Sequence, residues 1–177
     1  MSMARLGLIV AADSEGNIGY RNDIPWRLKG DLKNFRNLTM NQVVIMGRRT
    51  YESLPNPLDG RICIVITSNP ILCREGDEVH VAHSVLEAIE IGQRFATDWI
   101  YFVGGARIYE EAMSLVERAH ITLVHIRGEY DTKIKNFRFP HAEWDLVESV
   151  PGPVLQDKET GVISTTHTYL TMQRKPN

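Results

Sequence analysis

Short unbroken apolar stretches rich in Val and Ile recur along the chain, at residues 6–12, 42–46, 62–67 and 99–103. Runs of this length, without polar alternation, predict strands covered on both faces. Between them the apolar positions open out to helical spacing, which predicts helices over about residues 28–38, 48–54, 84–95 and 106–116. Strand and helix in alternation predict an α/β fold with a mixed, mostly parallel central sheet and helices on both faces. The last third reads differently. Residues 119–126, 144–150 and 163–172 suggest strands with no helix between them, so the C-terminal edge should be antiparallel. A length of 177 residues makes one domain, 1–177, the expectation.

Two places share one local grammar. Val43-Val44-Ile45-Met46 runs into Gly47-Arg48-Arg49-Thr50, and Ile100-Tyr101-Phe102-Val103 runs into Gly104-Gly105-Ala106-Arg107, each followed by a helix. A strand that ends in glycine and opens a helix aims backbone N–H groups outward, where they and the helix dipole favour phosphate. Glycine lets a ligand approach the backbone, and arginine adds a charged fork. The same glycines would also serve a plain tight turn, and the GxGxxG spacing is absent. Thr67-Ser68 after the strand at 62–67 could bond a phosphate or cap the next turn.

Asp31 is the anomaly. At 100° per residue from Leu28, Leu32 falls at about 40°, Phe35 at about 340° and Leu38 at about 280°, while Asp31 falls between the last two at about 300°. An acid inside an apolar stripe should have a raised pKa, as general-acid chemistry near neutral pH requires. The alternative is a first-turn carboxylate that complements the helix dipole. Gly16-Asn17-Ile18-Gly19 is flexible by composition and is either a lid or a loop.

Composition narrows the classes. A net charge of −2 argues against a nucleic-acid partner. No apolar run approaches the roughly 20 residues of a membrane helix. The N-terminus lacks a signal-peptide pattern. Cys63 and Cys73 make neither a CxxC pair nor a metal-like spacing with histidine, so two free thiols, no metal and a cytoplasmic protein are expected.

In order, these pieces resemble dihydrofolate reductase. The likeness is carried by 9–12, Ile18-Gly19, Asn22-Asp23-Ile24-Pro25-Trp26, Asp31-Leu32 with Phe35, and Val44 through Arg48 with Thr50. It continues through Glu52-Ser53-Leu54, Pro57-Leu58, Gly60-Arg61, Thr67-Ser68, Val103-Gly104-Gly105 and Ile108-Tyr109. It covers about residues 6–126. It implies an NADPH-dependent oxidoreductase, expected as a monomer, that takes dihydrofolate to tetrahydrofolate for one-carbon metabolism and binds antifolates. Hydride would pass from nicotinamide C4 to pterin C6, and Asp31 would promote protonation at N5.

The resemblance further implies that Ile9, Val10, Ile24, Leu32, Phe35, Leu54, Leu58, Val103, Tyr109 and Val124 surround the substrate with Asp31. Arg61 would pair with its glutamate α-carboxylate. Arg48, Arg49, Thr67 and Ser68 would hold the 2′-phosphate of NADPH. Ala11, Ile18, Gly19, Asn22, Asp23, Gly47, Thr50, Gly104, Gly105, Ala106, Arg107, Ile108 and Tyr109 would complete the cofactor site. A cis peptide would join Gly104 to Gly105. A threonine usually faces the acid from the neighbouring strand. Alignment puts Val124 there, with Thr122 two residues earlier on the same face. Asp131 is expected to bond the lid loop, although 128–132 is shorter than usual and 133–138 is inserted. A reductase of the same fold acting on a ribosylamino-pyrimidine would not need both Asp31 and Arg61. A folate- or nucleotide-binding module without turnover would not need Asp31.

Overall fold

The computed structural model describes residues 2–19, 28–71, 73 and 78–177. Asn22, Asp23 and Ile24, expected at the site, lie outside the described residues, as do Pro25 and Trp26. The elements are β1 (Arg5–Ala12), β2 (Asn17–Gly19), α1 (Asp31–Thr39), β3 (Val43–Gly47), α2 (Arg48–Ser53), β4 (Ile62–Ile66), β5 (Val79–Ala82) and α3 (Val85–Gly92). There follow β6 (Trp99–Phe102), α4 (Ala106–Ala112), β7 (Arg118–Val124), β8 (Thr132–Lys133), β9 (Trp144–Pro151), β10 (Val154–Gln156), β11 (Ile163–Thr165) and β12 (His167–Arg174).

One eight-stranded sheet runs β5-β4-β3-β6-β1-β7-β12-β9. The strands from β5 to β7 are parallel, and β12 pairs antiparallel with both β7 and β9. The mixed sheet with an antiparallel C-terminal edge is therefore as the strand pattern predicts. Consecutive strand residues face opposite ways, and here both faces are apolar. Leu8, Val10, Val43, Ile45 and Ile64 pack with Val85 and Ala88 of α3 and with Ile108 and Ala112 of α4. Val44, Met46, Cys63 and Val65 point the other way and pack with Tyr51 of α2. Helices thus cover both faces.

Three departures from the pattern are larger than a shift of element ends. α1 begins at Asp31 rather than near 28, because Gly30 at φ 85° is left-handed and cannot sit inside a right-handed helix. Residues 163–172 form two strands, the first pairing with β10 and the second with β7 and β9. β5 escapes the apolar-run criterion because His80 and Val81 are exposed on this edge strand.

Candidate functional site

The C-terminal ends of the parallel strands β1, β3, β4, β6 and β7 lie along one margin of the sheet, where open α/β sheets bind ligands. α1 brings Asp31 to this margin. Its amide donates to the Leu28 carbonyl at 3.1 Å, and the helix then opens with the acid in its first turn, where the dipole favours a carboxylate. Asp31, Phe35 and Leu38 are half-buried on the inward face, while Lys33, Arg36 and Asn37 are exposed. The acid is thus both a first-turn residue and part of the inward face.

Two expectations need correction here. Leu32, placed at one edge of the apolar stripe and expected beside the substrate, is 83% exposed. Leu28 precedes the helix, so the docking face centres on Asp31, Phe35 and Leu38 instead. The threonine facing the acid is Thr122, not a substitute at Val124: its hydroxyl donates to Asp31 Oδ1 at 2.7 Å. The pairing of β7 with β1 sets this, since Ala11 is the register partner of Thr122. Val124, also buried, lines a recess of about 290 Å³ with Asp13 and Tyr130. Burial pushes the Asp31 carboxyl above its ordinary 3.8. The Thr122 hydroxyl and nearby His167 favour the charged form, but burial outweighs them.

Both glycine turns meet at the same margin. The Gly47 amide donates to the Gly104 carbonyl at 2.8 Å, and the Val103 amide to Ile45 at 2.9 Å. The Gly104–Gly105 peptide is cis, as the resemblance implies, and Gly104 has φ 123°, a region that favours glycine. A side chain at either glycine would enter the space facing Thr50: a Cβ would lie 3.5 Å from its hydroxyl at Gly104 and 3.6 Å at Gly105. The buried Tyr109 hydroxyl donates to the Ile9 carbonyl at 2.7 Å and ties α4 to β1. α2 and α4 open directly after Gly47 and Gly105 with no side-chain cap. Ala106 is half-buried beside them and Ile108 is in the core.

Of the three arginines, Arg48 pairs with Glu52 at 2.7 Å and Arg107 with Glu111 at 3.1 Å, while Arg49 is exposed. The Thr67 hydroxyl is bonded to both backbone groups of Asn69 at 3.1 Å, so it does cap the next turn, and Ser68 beyond it is exposed. On the lid side, β2 with Ile18 and Gly19 pairs with β8. The Asp131 amide donates to the Gly19 carbonyl at 2.9 Å, a backbone bond that joins Asp131 to the end of β2.

Arg61 ends the turn after α2. Its side chain is 4% exposed, Asp59 lies 3.8 Å from one terminal nitrogen, and the buried Nε has no hydrogen-bond partner among the described residues. Asp59 is itself held by Arg36 through two 3.1 Å bonds. Burial lowers the Arg61 pKa from its ordinary value, against the pull of Asp59. Leu54 and Leu58 line a recess of about 250 Å³ with Arg61 and Cys63. Ile9 and Val10 are buried on β1, and Val103 is half-buried at the end of β6. Sequence reasoning missed His167 and Tyr169 on β12, the register partners of Val124 and Thr122.

A part-buried acid beside a paired-glycine cradle, at the carboxyl margin of a parallel sheet, defines a class of α/β protein suited to seating a phosphate-bearing cofactor next to a proton donor. A family model described as dihydrofolate reductase matches residues 5–172. Dihydrofolate reductase type 8 of Escherichia coli is 36% identical, with 98% of each chain covered. The dihydrofolate reductase of Staphylococcus aureus is 32% identical over 96% of this chain and 98% of the relative. A solved structure of dihydrofolate reductase from Enterococcus faecalis, complexed with NADP(H) and RAB-propyl, matches with a TM-score of 0.80. The identity there is 31%, over 97% of each chain. The chain belongs to the dihydrofolate reductase family.

Proposed function

We propose that the protein reduces 7,8-dihydrofolate to 5,6,7,8-tetrahydrofolate with NADPH, in support of one-carbon metabolism, and that Asp31 promotes protonation at N5. Membership of the family supports the reaction. The observation that carries the role of Asp31 is its half-buried carboxyl, held by Thr122 and raised in pKa by burial, beside the glycine cradle.

The residues fit the cofactor. A Cβ would fill the cradle at Gly104 and Gly105, and the Thr50 hydroxyl faces it. Arg49 stands exposed at the start of α2 for the 2′-phosphate, with Arg48 beside it. When bound, NADPH supplies the hydride. The protein's share is to orient, to exclude water and to manage the proton. Asp31 holds a proton more readily than an exposed carboxyl does, and the Thr122 hydroxyl fixes its orientation. Ile9, Phe35, Leu54 and Val103 offer apolar walls for a flat ring. The unsatisfied Arg61 Nε suits the glutamate carboxylate, since a guanidinium fork binds a carboxylate through two N–H bonds.

The test mixes protein, NADPH and dihydrofolate and follows loss of the reduced-nicotinamide absorbance. Turnover that needs both compounds is expected. No turnover from a protein shown to be folded by circular dichroism would overturn the proposal.

A further inference from the structure

β12 carries a row of polar side chains on the face that Thr122 occupies on β7. Tyr169 is the register partner of Thr122, and His167 is the partner of Val124. His167 is fully buried. Its Nδ1 meets the Thr166 hydroxyl at 2.8 Å and its Nε2 meets the Tyr169 hydroxyl at 3.1 Å, with the two rings edge to face at 5.1 Å. The Lys29 backbone, in the turn that leads into α1, favours the charged form of the imidazole. The Tyr169 hydroxyl lies over Gly30, 3.6 Å from where a Cβ would stand, immediately before Asp31. Gly152 packs close against the same edge of the ring: a Cβ there would come within 2.7 Å of Nε2 and 2.9 Å of the His167 carbonyl. Both ring nitrogens of the buried imidazole are thus engaged by hydroxyls, one of them the Tyr169 hydroxyl near Gly30.

We propose that His167 is a positioning residue for Asp31: imidazole, Tyr169 hydroxyl and carboxyl form one network in which the charge on the ring and the charge on the acid are linked. A buried, hydrogen-bonded imidazole is otherwise costly, and an apolar residue would pack this strand without it. Burial alone would drive both groups neutral. Each, when charged, stabilises charge on the other: a cationic ring favours the Asp31 carboxylate, and the carboxylate favours the cationic ring. The neutral pair and the ion pair carry the same number of protons. The two titrations are therefore coupled, so that a change of charge at one group shifts the midpoint of the other.

Among the described residues, the titratable groups facing the imidazole are Asp31 from α1, Tyr169 from its own strand and His125 just past the end of β7. His125 is bonded to the Thr168 hydroxyl at 2.7 Å, and its charge opposes protonation of His167. The β9–β10 turn contributes Gly152, which has no ionisable group.

The consequence for turnover rests on the role given to Asp31 above, but the linkage does not. The imidazole of His167 is titrated by NMR in the unliganded protein, with its resonance assigned from His167→Gln. Asp31→Asn is expected to lower the His167 midpoint by more than it moves the other histidines. Tyr169→Phe, which keeps the ring and removes the hydroxyl bonded to Nε2, is expected to shift it as well. By reciprocity, His167→Gln should carry the alkaline limb of turnover to higher pH and leave the KM for NADPH unchanged. A His167 midpoint unmoved in folded Asp31→Asn would overturn the proposal. A shifted midpoint without turnover in the parent protein would uphold the linkage and reject the enzymatic role instead.

Discussion

Replacing Arg61 by methionine separates a binding arginine from a structural one. The Arg61 side chain is almost wholly buried, yet among the described residues its Nε has no hydrogen-bond partner, and nearby Asp59 is 72% exposed and already engaged by Arg36. A buried donor without a partner costs about 1–3 kcal/mol. Methionine keeps the reach and apolar bulk of the stem and deletes that donor. The free protein should therefore be as stable as the parent or gain up to about that amount, and each kcal/mol raises Tm by roughly 2–4 °C at this chain length.

Binding should move the other way. A hydrogen bond to a charged group contributes about 1.5–3 kcal/mol. Losing one or both arms of a bidentate carboxylate contact then removes about 2–4 kcal/mol. At 1.4 kcal/mol per factor of ten, KM for dihydrofolate should rise roughly 30- to 1000-fold. A pteridine substrate without the glutamate tail supplies the control, and its KM should change by less than about threefold, the scale of a surface change of about 0.5 kcal/mol. Steady-state kinetics with both substrates and a thermal melt decide the matter. Equal losses for the two substrates, or a Tm several degrees below the parent, would show that Arg61 holds the loop rather than the substrate.

Two other perturbations test the rest of the site. Asp31→Asn should leave folding intact and depress turnover strongly at neutral pH but less at acid pH, where solvent supplies the proton; equal activity at neutral pH would remove the acid role. Because burial raises the folded-state pKa of Asp31, its ionisation opposes folding as pH climbs above the unfolded value. The same variant should therefore melt higher than the parent near neutrality, and that advantage should vanish in acid. Arg48→Ala with Arg49→Ala should raise KM for NADPH far more than KM for NADH; equal changes would refute their pairing with the 2′-phosphate.

The parts of the fold that are local in origin were readable in the chain. The unbroken apolar runs became β1, β3, β4 and β6, and Gly47 and Gly104 mark the turns into α2 and α4. What depends on long-range pairing was not readable. Thr122 and Val124 share a strand face, and local pattern cannot say which of them meets an acid 91 or more residues away in sequence. The β1–β7 register decides it. The start of α1 failed for a different reason: helical periodicity extends back through Leu28, but one left-handed glycine moves the boundary and leaves Leu32 in solvent. His167 and Tyr169 did leave a trace. They stand two apart, with Thr171 next on the same face, so a strand next to the acid's strand carries polar residues where a core face would be apolar.

That polar row explains how one sheet serves two purposes. On the face packed by α3 and α4 the sheet is apolar across its width, with Leu8, Val10, Val43, Ile45, Ile64 and Phe102 making the stable core. The opposite face changes character from strand to strand. Under α2 it is still apolar, with Val44, Met46 and Val65. Across β7 and β12 it carries His120, Thr122, His167, Tyr169 and Thr171. There His120 contacts the Thr171 hydroxyl at 3.3 Å, and burial lowers its pKa to about 4, keeping it neutral. A buried polar row stabilises less than an aliphatic one even when its hydrogen bonds are made. Its retention at the strands nearest Asp31 is expected where the carboxyl must be oriented and its proton retained. The larger apolar cluster lies on one face of the sheet, and the other face, apolar under α2, turns polar at the strands that hold Thr122 against Asp31.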